Sequence, residues 1–193
     1  MVDTSSLARP TGRPRGFDAA DALRAARDLF WRKGYEQSTL DELIAAMGIS
    51  RSSFYACFTS KHVTLARALT LYSDEAYAKL VAIVTLHADP GIALCLAMES
   101  LADATGGRRG CFLANCISEL GPHDAEIDRI VRAQISRITD LFCPLLTAIG
   151  HDDPRGTARL LLALALGVIG LRKIGLAPGD VLETLHTGLN TIL

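Results

Sequence analysis

Apolar positions along this chain recur at three- and four-residue intervals almost from end to end, and no segment reads as a strand. The pattern predicts an all-α fold. Its first stripe is Ala22, Ala26, Leu29 and Phe30, with Arg24, Arg27, Arg32 and Lys33 on the outer side. Asp18 is placed to cap this helix, with Asp21 at the capping-box position, and Gly34 ends it. Trp31 is assigned to packing, with donation of its N–H to a backbone phosphate as the alternative.

A second stripe, Leu40, Leu43, Ile44 and Met47, follows the Gln37–Ser38–Thr39 turn. Thr39 can open that helix, with Glu42 three positions on closing a capping box; its hydroxyl and the free amides beside it also suit a phosphate. Gly48 stands where a helix exit most often needs positive φ. Ser50 then caps a third helix that carries Phe54 and Phe58 on one side and Arg51, Ser52, Ser53, Tyr55 and Ala56 on the others. This is a helix-turn-helix layout over about residues 39–58, whose second helix enters the major groove of DNA. A plain helical hairpin inside a bundle is the competing reading. The small polar outer face favours DNA, because small residues allow close approach to base edges and Arg51 can reach a guanine or a phosphate.

Thr59–Ser60–Lys61–His62 opens a long helix to about Leu86, whose start offers free N–H groups and Lys61 as a phosphate clamp, with His62 as a further donor. Asp89–Pro90 begins a helix ending near Thr105. The run Gly106–Gly107–Arg108–Arg109–Gly110 lacks the Lys–Ser/Thr ending of a phosphate loop and reads as a mobile connection. Cys111–Leu120 is apolar with Asn115, Ser118 and Glu119 inserted. Asp124 caps a helix over 125–149, expected to kink at Pro144. The next helix, about 154–173, contains the 12-residue apolar run Leu160–Leu171 with no polar face. A last helix, 178–193, carries Val181, Leu182, Leu185, Leu189 and Ile192. Neither of the last two is easily covered by one chain of this length, which predicts a homodimer packed through both.

The chain has 193 residues, 49% of them hydrophobic, enough for a substantial core. The apolar run is too short for a bilayer and the polar, basic start is not a signal peptide, so a soluble cytoplasmic protein is expected. The net charge of −1 alters the picture only through its distribution. Residues 1–62 hold nine Lys/Arg against seven Asp/Glu, whereas the remainder is net acidic. Residues 1–16, punctuated by Pro10, Gly12, Pro14 and Gly16, read as a flexible basic arm whose Arg9, Arg13 and Arg15 either reach the minor groove or stay solvated. Cys57, Cys95, Cys111, Cys116 and Cys143 form no C-x-x-C pair and read as free thiols.

The stretch AARDLFWRKGYEQSTLDELIAAMGISRSSFYACFTSK, Ala25–Lys61, resembles the N-terminal domain of TetR-type (tetracycline-repressor-like) transcriptional regulators. Phe30–Gly34–Tyr35, Thr39, Gly48, Phe54–Tyr55, Phe58 and Lys61 carry the resemblance in order. The family's position after this lysine is commonly acidic and completes a cap; here it is His62. The resemblance implies a helix-turn-helix domain over 17–62 and an effector-binding, dimerising domain over 63–193. It also implies a two-fold homodimer on a palindromic operator, with half-sites about one helical turn apart or somewhat more. The 61–86 helix becomes the mechanical link between the two. The candidate DNA contacts are Arg13, Arg15, Thr39, Arg51, Ser52, Ser53, Tyr55, Lys61 and His62.

No H-E-x-x-H, G-x-S-x-G or Walker-type loop is present, so no catalytic role, metal or cofactor is assigned. By resemblance an effector pocket lies in the helices after residue 90. Its candidate lining is Cys95, Met98, Cys111, Phe112, Asn115, Cys116, Glu119 and Phe142, with core packing as the alternative for each. Cys111 follows two arginines that can lower a thiol's pKa, and the Gly–Cys start resembles that of TetR-type sensors of electrophiles and oxidants. Cys111, Cys116 and His123 match no metal-ligand spacing. The expected function is a sequence-specific regulator, a repressor released by a small effector. A helical carrier or enzyme without DNA function, and an architectural DNA binder, are the competing classes. The near-neutral charge argues against the last.

Overall fold

A computed structural model describes residues 17–193, among which there are nine α-helices and no strand. The arm with Arg9, Arg13 and Arg15 lies outside the described residues. The helices are α1 (Ala19–Lys33), α2 (Leu40–Met47), α3 (Arg51–Phe58), α4 (Lys61–Leu86), α5 (Pro90–Ala102), α6 (Phe112–Leu120), α7 (Ala125–Ala148), α8 (Pro154–Ile174) and α9 (Pro178–Ile192). None is long and apolar enough to cross a membrane.

Local sequence sets the helix ends. Asp18 accepts from the amides of Ala20 and Asp21 and so caps α1. The expected capping box is not formed: the Asp21 carboxylate turns outward to Arg24 at 3.0 Å. Aspartate is one methylene shorter than the glutamate that position normally uses. Gly34 ends α1 at φ +87°, and a Cβ there would also press on the Glu119 carboxylate at 3.2 Å. α5 stops at Ala102, three residues short of the expected end, because Asp103 adopts the left-handed conformation. α7 runs through Pro144 to Ala148 as one helix.

Two cores result. The upper one joins α1–α3 and the start of α4 to Phe112, Cys116, Ile127, Ile130 and Val131 of α6 and α7. Phe54 and Phe58 are fully buried there and stacked at 6.0 Å. Truncating a buried Phe costs about 3–5 kcal/mol, so these two side chains fix which face of α3 points outward. The lower core gathers Leu80, Leu94, Ala97, Met98, Phe142, Leu146, Leu161, Val168, Leu185 and others from α4, α5 and α7–α9. α4 contributes to both, and so spans them.

The 106–110 connection is held rather than mobile. Gly107–Arg109 form one 3₁₀ turn. The Arg109 carbonyl accepts from Trp31 Nε1 at 3.0 Å and from Asn115 Nδ2 at 2.9 Å, and its guanidinium lies 4.6 Å over the Trp31 ring. Buried Arg172 donates to the Gly110 carbonyl at 3.1 Å. Trp31 is thereby committed to the α6 side, which removes it from a phosphate role.

The two terminal helices differ from expectation. On α9, Val181, Leu185 and Leu189 are buried within their own chain, so its apolar stripe needs no second subunit. On α8, Leu161, Ala165, Val168 and Ile169 turn inward, while Leu160 (52% exposed), Ala163, Gly167, Gly170, Leu171 and Ile174 (78% exposed) leave an open apolar stripe.

Candidate nucleic-acid interface and ligand cavity

The reading head is built by caps. The Thr39 hydroxyl accepts from the Glu42 amide at 3.2 Å, and the Glu42 carboxylate accepts from the Thr39 amide at 2.9 Å, which completes a capping box. Lys33 Nζ donates to the same carboxylate at 2.7 Å and, with the Thr39 bonds, holds Glu42 down at about 2. Gly48, at φ +65° and ψ 30°, turns the chain with open space around it, so conformation alone requires glycine there. Ser50 Oγ accepts from the Ser53 amide at 3.1 Å and starts α3.

With Phe54 and Phe58 inward, α3 presents Arg51, Ser52, Tyr55 and Ala56 to solvent, while Ser53 is half-buried. The Arg51 guanidinium is paired with the Asp41 carboxylate on α2, both well exposed. Such exposed pairs are worth about 0–1 kcal/mol, so a ligand of α3 can displace Asp41 at little cost. Tyr55 stands edge-on to Phe54 at 5.5 Å. Thr59, at φ +66°, ends α3, and Ser60 caps α4 by accepting from Val63. Lys61 Nζ sits 4.2 Å over the Tyr35 ring. The structure therefore brings Thr39, Arg51, Ser52, Tyr55 and Lys61 onto α2, α3 and the start of α4.

His62 turns elsewhere. Its Nε2 lies 2.6 Å from Asp124 Oδ2 and its Nδ1 3.6 Å from Glu126 Oε2. Ser60 supplies the α4 cap, and His62 ties α4 to the N-terminus of α7 instead of facing outward with Lys61. Desolvation raises the Asp124 pKa, but amide bonds from Ile127 and Glu126 and the His62 contact together hold it below its ordinary value.

Glu119 has a parallel role. Its carboxylate accepts from the Tyr35 amide at 3.0 Å and the Glu36 amide at 2.8 Å, clamping α6 to the α1–α2 turn. Further cross-links run from Arg24 and Arg27 to Glu75 on α4 at 3.0 and 2.9 Å. Sequence reading missed these links because each joins residues about fifty to eighty positions apart.

The candidate lining residues are not gathered at one place. Met98 and Phe142 are fully buried in the lower core, and Cys95 packs against that core. Phe112, Asn115, Cys116 and Glu119 border an open groove between α1 and α6. Asn115 is satisfied internally, accepting from Lys173 at 2.8 Å and donating to Arg109. Burial pushes the Cys116 thiol up to about 12. Of the predicted set only Cys111 borders a half-open apolar cavity, of about 350 Å³, between α4–α8.

That cavity is lined mainly by aliphatic side chains such as Leu113, Ile117, Ile138, Leu162 and Ile169, with Tyr72, Gln134 and Arg159 as its polar members. Gln134 is buried; its Nε2 donates to the Ser73 carbonyl at 3.1 Å and its Oε1 has no partner. Cys111 Sγ lies 3.7 Å from the Tyr72 hydroxyl. Burial, reinforced by Cys111, pushes the Tyr72 phenol far up and keeps it protonated. The helical spacing offered no sign of this cavity, since its polar members sit alone on three separate helices.

A family profile described as bacterial regulatory proteins, tetR family, matches residues 22–79. The transcriptional repressor ComR of Escherichia coli (strain K12) is 30% identical over 136 residues, 68% of this chain. That match spans 64% of ComR, just under two thirds of its length. Among solved structures, the TetR-family regulator SCO4454 from Streptomyces coelicolor superposes with a TM-score of 0.81 at 22% identity, covering 90% of this chain and 92% of that one. The regulator CifR, solved as a cysteine mutant with a 26-base-pair double-strand operator, gives 0.78 at 21% identity, over 93% and 98% of the two chains. The capped α2–Gly48–α3 unit, its position on α4 and the agreement of profile, relatives and fold lead to one conclusion: the chain belongs to the TetR family of bacterial regulatory proteins.

Proposed function

We propose that this protein is a homodimeric repressor that reads a palindromic operator through α3 and is released by a small, largely apolar effector. The observation that carries the DNA reading is the division of α3: its two large apolar residues are fully buried, and only small or polar groups and one phenol face out. Residues 1–16 serve as the basic arm, 17–62 as the reading head and 63–193 as the effector and dimer domain. The open stripe of α8 supports the two-fold partner, with Gly167 and Gly170 allowing close approach. No reaction is assigned to the chain.

The effector reading rests on the Gln134 cavity. A buried acceptor left without a donor on the wall of an apolar cavity costs stability unless something donates to it. The effector is accordingly an apolar molecule with one hydrogen-bond donor. Occupying the cavity pushes on α6 and α7, whose ends hold the reading head through Glu119 and through Asp124–His62. Every tenfold loss of DNA affinity requires about 1.4 kcal/mol of preference for the released state. A second reading has the effector react with Cys111, the one thiol on this cavity with a hydroxyl neighbour. Cys111→Ser then abolishes the response to an electrophile while leaving DNA binding intact.

The test is titration against a duplex selected from random DNA and against its scrambled counterpart, at several salt concentrations. Tyr55→Ala and Lys61→Ala weaken binding to both, and Lys61→Ala reduces the salt slope by about one per contact. Arg51→Ala also alters the preferred sequence. Equal affinity for both duplexes refutes the proposal.

A further inference from the structure

We propose that Cys95, Glu99 and His186 form a binding site for one zinc-class divalent cation, bridging α5 and α9. The site lies apart from the reading head and from the Gln134 cavity, and its existence does not depend on the effector reading. Cys95 and Glu99 are four residues apart on one face of α5, and His186 reaches them from α9, 87 positions after Glu99. Their ligand atoms all lie within 4.8 Å of one another, the one such group of three among the described residues. His186 Nε2 is 2.7 Å from Glu99 Oε1, and Cys95 Sγ is 3.9 Å from the same oxygen.

The donor set decides the cation. Thiolate, imidazole and carboxylate together suit zinc and its first-row neighbours, whereas calcium and magnesium need several oxygens and find one carboxylate here. Bond lengths of about 2.0–2.3 Å in a tetrahedron place neighbouring ligand atoms about 3.3–3.6 Å apart. The Cys–Glu separation is already close to that range, and the His–Glu hydrogen bond opens by well under 1 Å to admit the ion. On binding, the Cys95 thiol gives its proton to solvent, and any proton on His186 Nε2 moves to Nδ1 or is lost, freeing the Nε2 lone pair. Glu99 has no Lys or Arg partner among the described residues, so no competing cation must be displaced. All three side chains are half-buried, open enough for an ion to enter and leaving a fourth position for water. Leu94, Ala97, Met98, Leu185 and Leu189, buried between the same helices, hold the two backbones in place.

The experiment uses the full chain, reduced and stripped with a chelator. Titrated with Co²⁺, it takes up one ion per chain with a thiolate-to-metal charge-transfer band and tetrahedral d–d bands, and Zn²⁺ bleaches both. Cys95→Ser removes the charge-transfer band. His186→Gln and Glu99→Gln, at half-exposed positions that leave the fold intact, weaken Zn²⁺ binding beyond the about 10–100-fold that loss of an outer-shell partner costs. Cys57→Ser, Cys111→Ser and Cys143→Ser leave the band unchanged. A missing band in the wild type, a band that survives Cys95→Ser, or Zn²⁺ affinity unaltered in the His186 and Glu99 variants overturns the site.

Discussion

Replacing Arg172 separates two effects that the fold superimposes. Arg172 is 4% exposed and donates to the Asp103 carbonyl at 2.6 Å, the Asp103 carboxylate at 3.1 Å and the Gly110 carbonyl at 3.1 Å. Its Nε has no partner. Arg172→Met keeps most of the volume but strands the Gly110 carbonyl at about 1–3 kcal/mol, while the Asp103 carbonyl keeps the Gly106 amide at 2.7 Å and the desolvation of a buried charge is relieved. The Gly110 carbonyl outweighs the relief, because the guanidinium is already partly unsatisfied and has lost little by being buried with Asp103. The net destabilisation is about 1–2 kcal/mol, and at about 2–4 °C per kcal/mol for a chain of this size the midpoint falls by about 2–8 °C. Asp103→Asn is the control. The Asp103 side chain is 53% exposed, so its share of the ion pair is worth less than about 1 kcal/mol, and Asn tolerates the left-handed backbone there. Thermal and urea melts of the three proteins measure the differences, and hydrogen exchange over 103–111 shows where the loss falls. An Arg172→Met midpoint at or above wild type means that desolvation dominates and refutes the reasoning.

Other outcomes follow from the same geometry. Gly106→Ala lowers the melting midpoint, because a Cβ there overlaps the Arg172 guanidinium and the Asp103 carboxylate, and the Arg172→Met background reduces that penalty. Glu119→Ala frees the Tyr35 and Glu36 amides; being exposed, they are recovered by water, so stability falls by about 1 kcal/mol while effector-induced loss of DNA affinity shrinks severalfold in a binding titration. Glu42 is depressed from 4.5 to about 2, chiefly by Lys33, so its stabilisation is fully present above about 4.5 and is lost as pH falls through about 2. The midpoint gap between wild type and Glu42→Gln therefore narrows across that window. Gln134→Leu removes an orphaned acceptor together with the Nε2–Ser73 carbonyl bond, so stability changes by less than about 1 kcal/mol, and it weakens binding of the effector class proposed above.

What the sequence disclosed and what it withheld divides along contact distance. The caps at Asp18, Thr39, Ser50 and Asp124, the turn at Gly48 and the inward Phe54–Phe58 pair are visible because each is settled within about four residues. The partners of His62, Glu119 and the Gly106–Gly110 connection, namely Asp124, the 35–36 amides and Trp31–Arg172, come from distant segments and leave no local signal. The scatter of the candidate lining residues over separate regions has a related reason. Apolar periodicity marks a residue as buried without telling which of two cores receives it, and Met98 and Phe112 went to different ones. α8 shows the same ambiguity: its run lacks a polar face, yet buried Arg172 shows that one side of it is an internal anchor.

The Arg51–Asp41 pair bears on how a reading head searches. On the proposed reading of Arg51 as a DNA contact, its guanidinium already has an anionic companion from its own domain, which a phosphate or a guanine edge would have to replace. Any duplex must therefore compete with Asp41, and a displaced Asp41 stands beside the DNA backbone as an uncompensated negative charge. A random sequence, offering phosphates alone, gains little from that exchange, whereas a site that receives Arg51 in two bonds gains more. At about 0–1 kcal/mol for so exposed a pair, that competition would shorten each stop on a wrong sequence by no more than about fivefold.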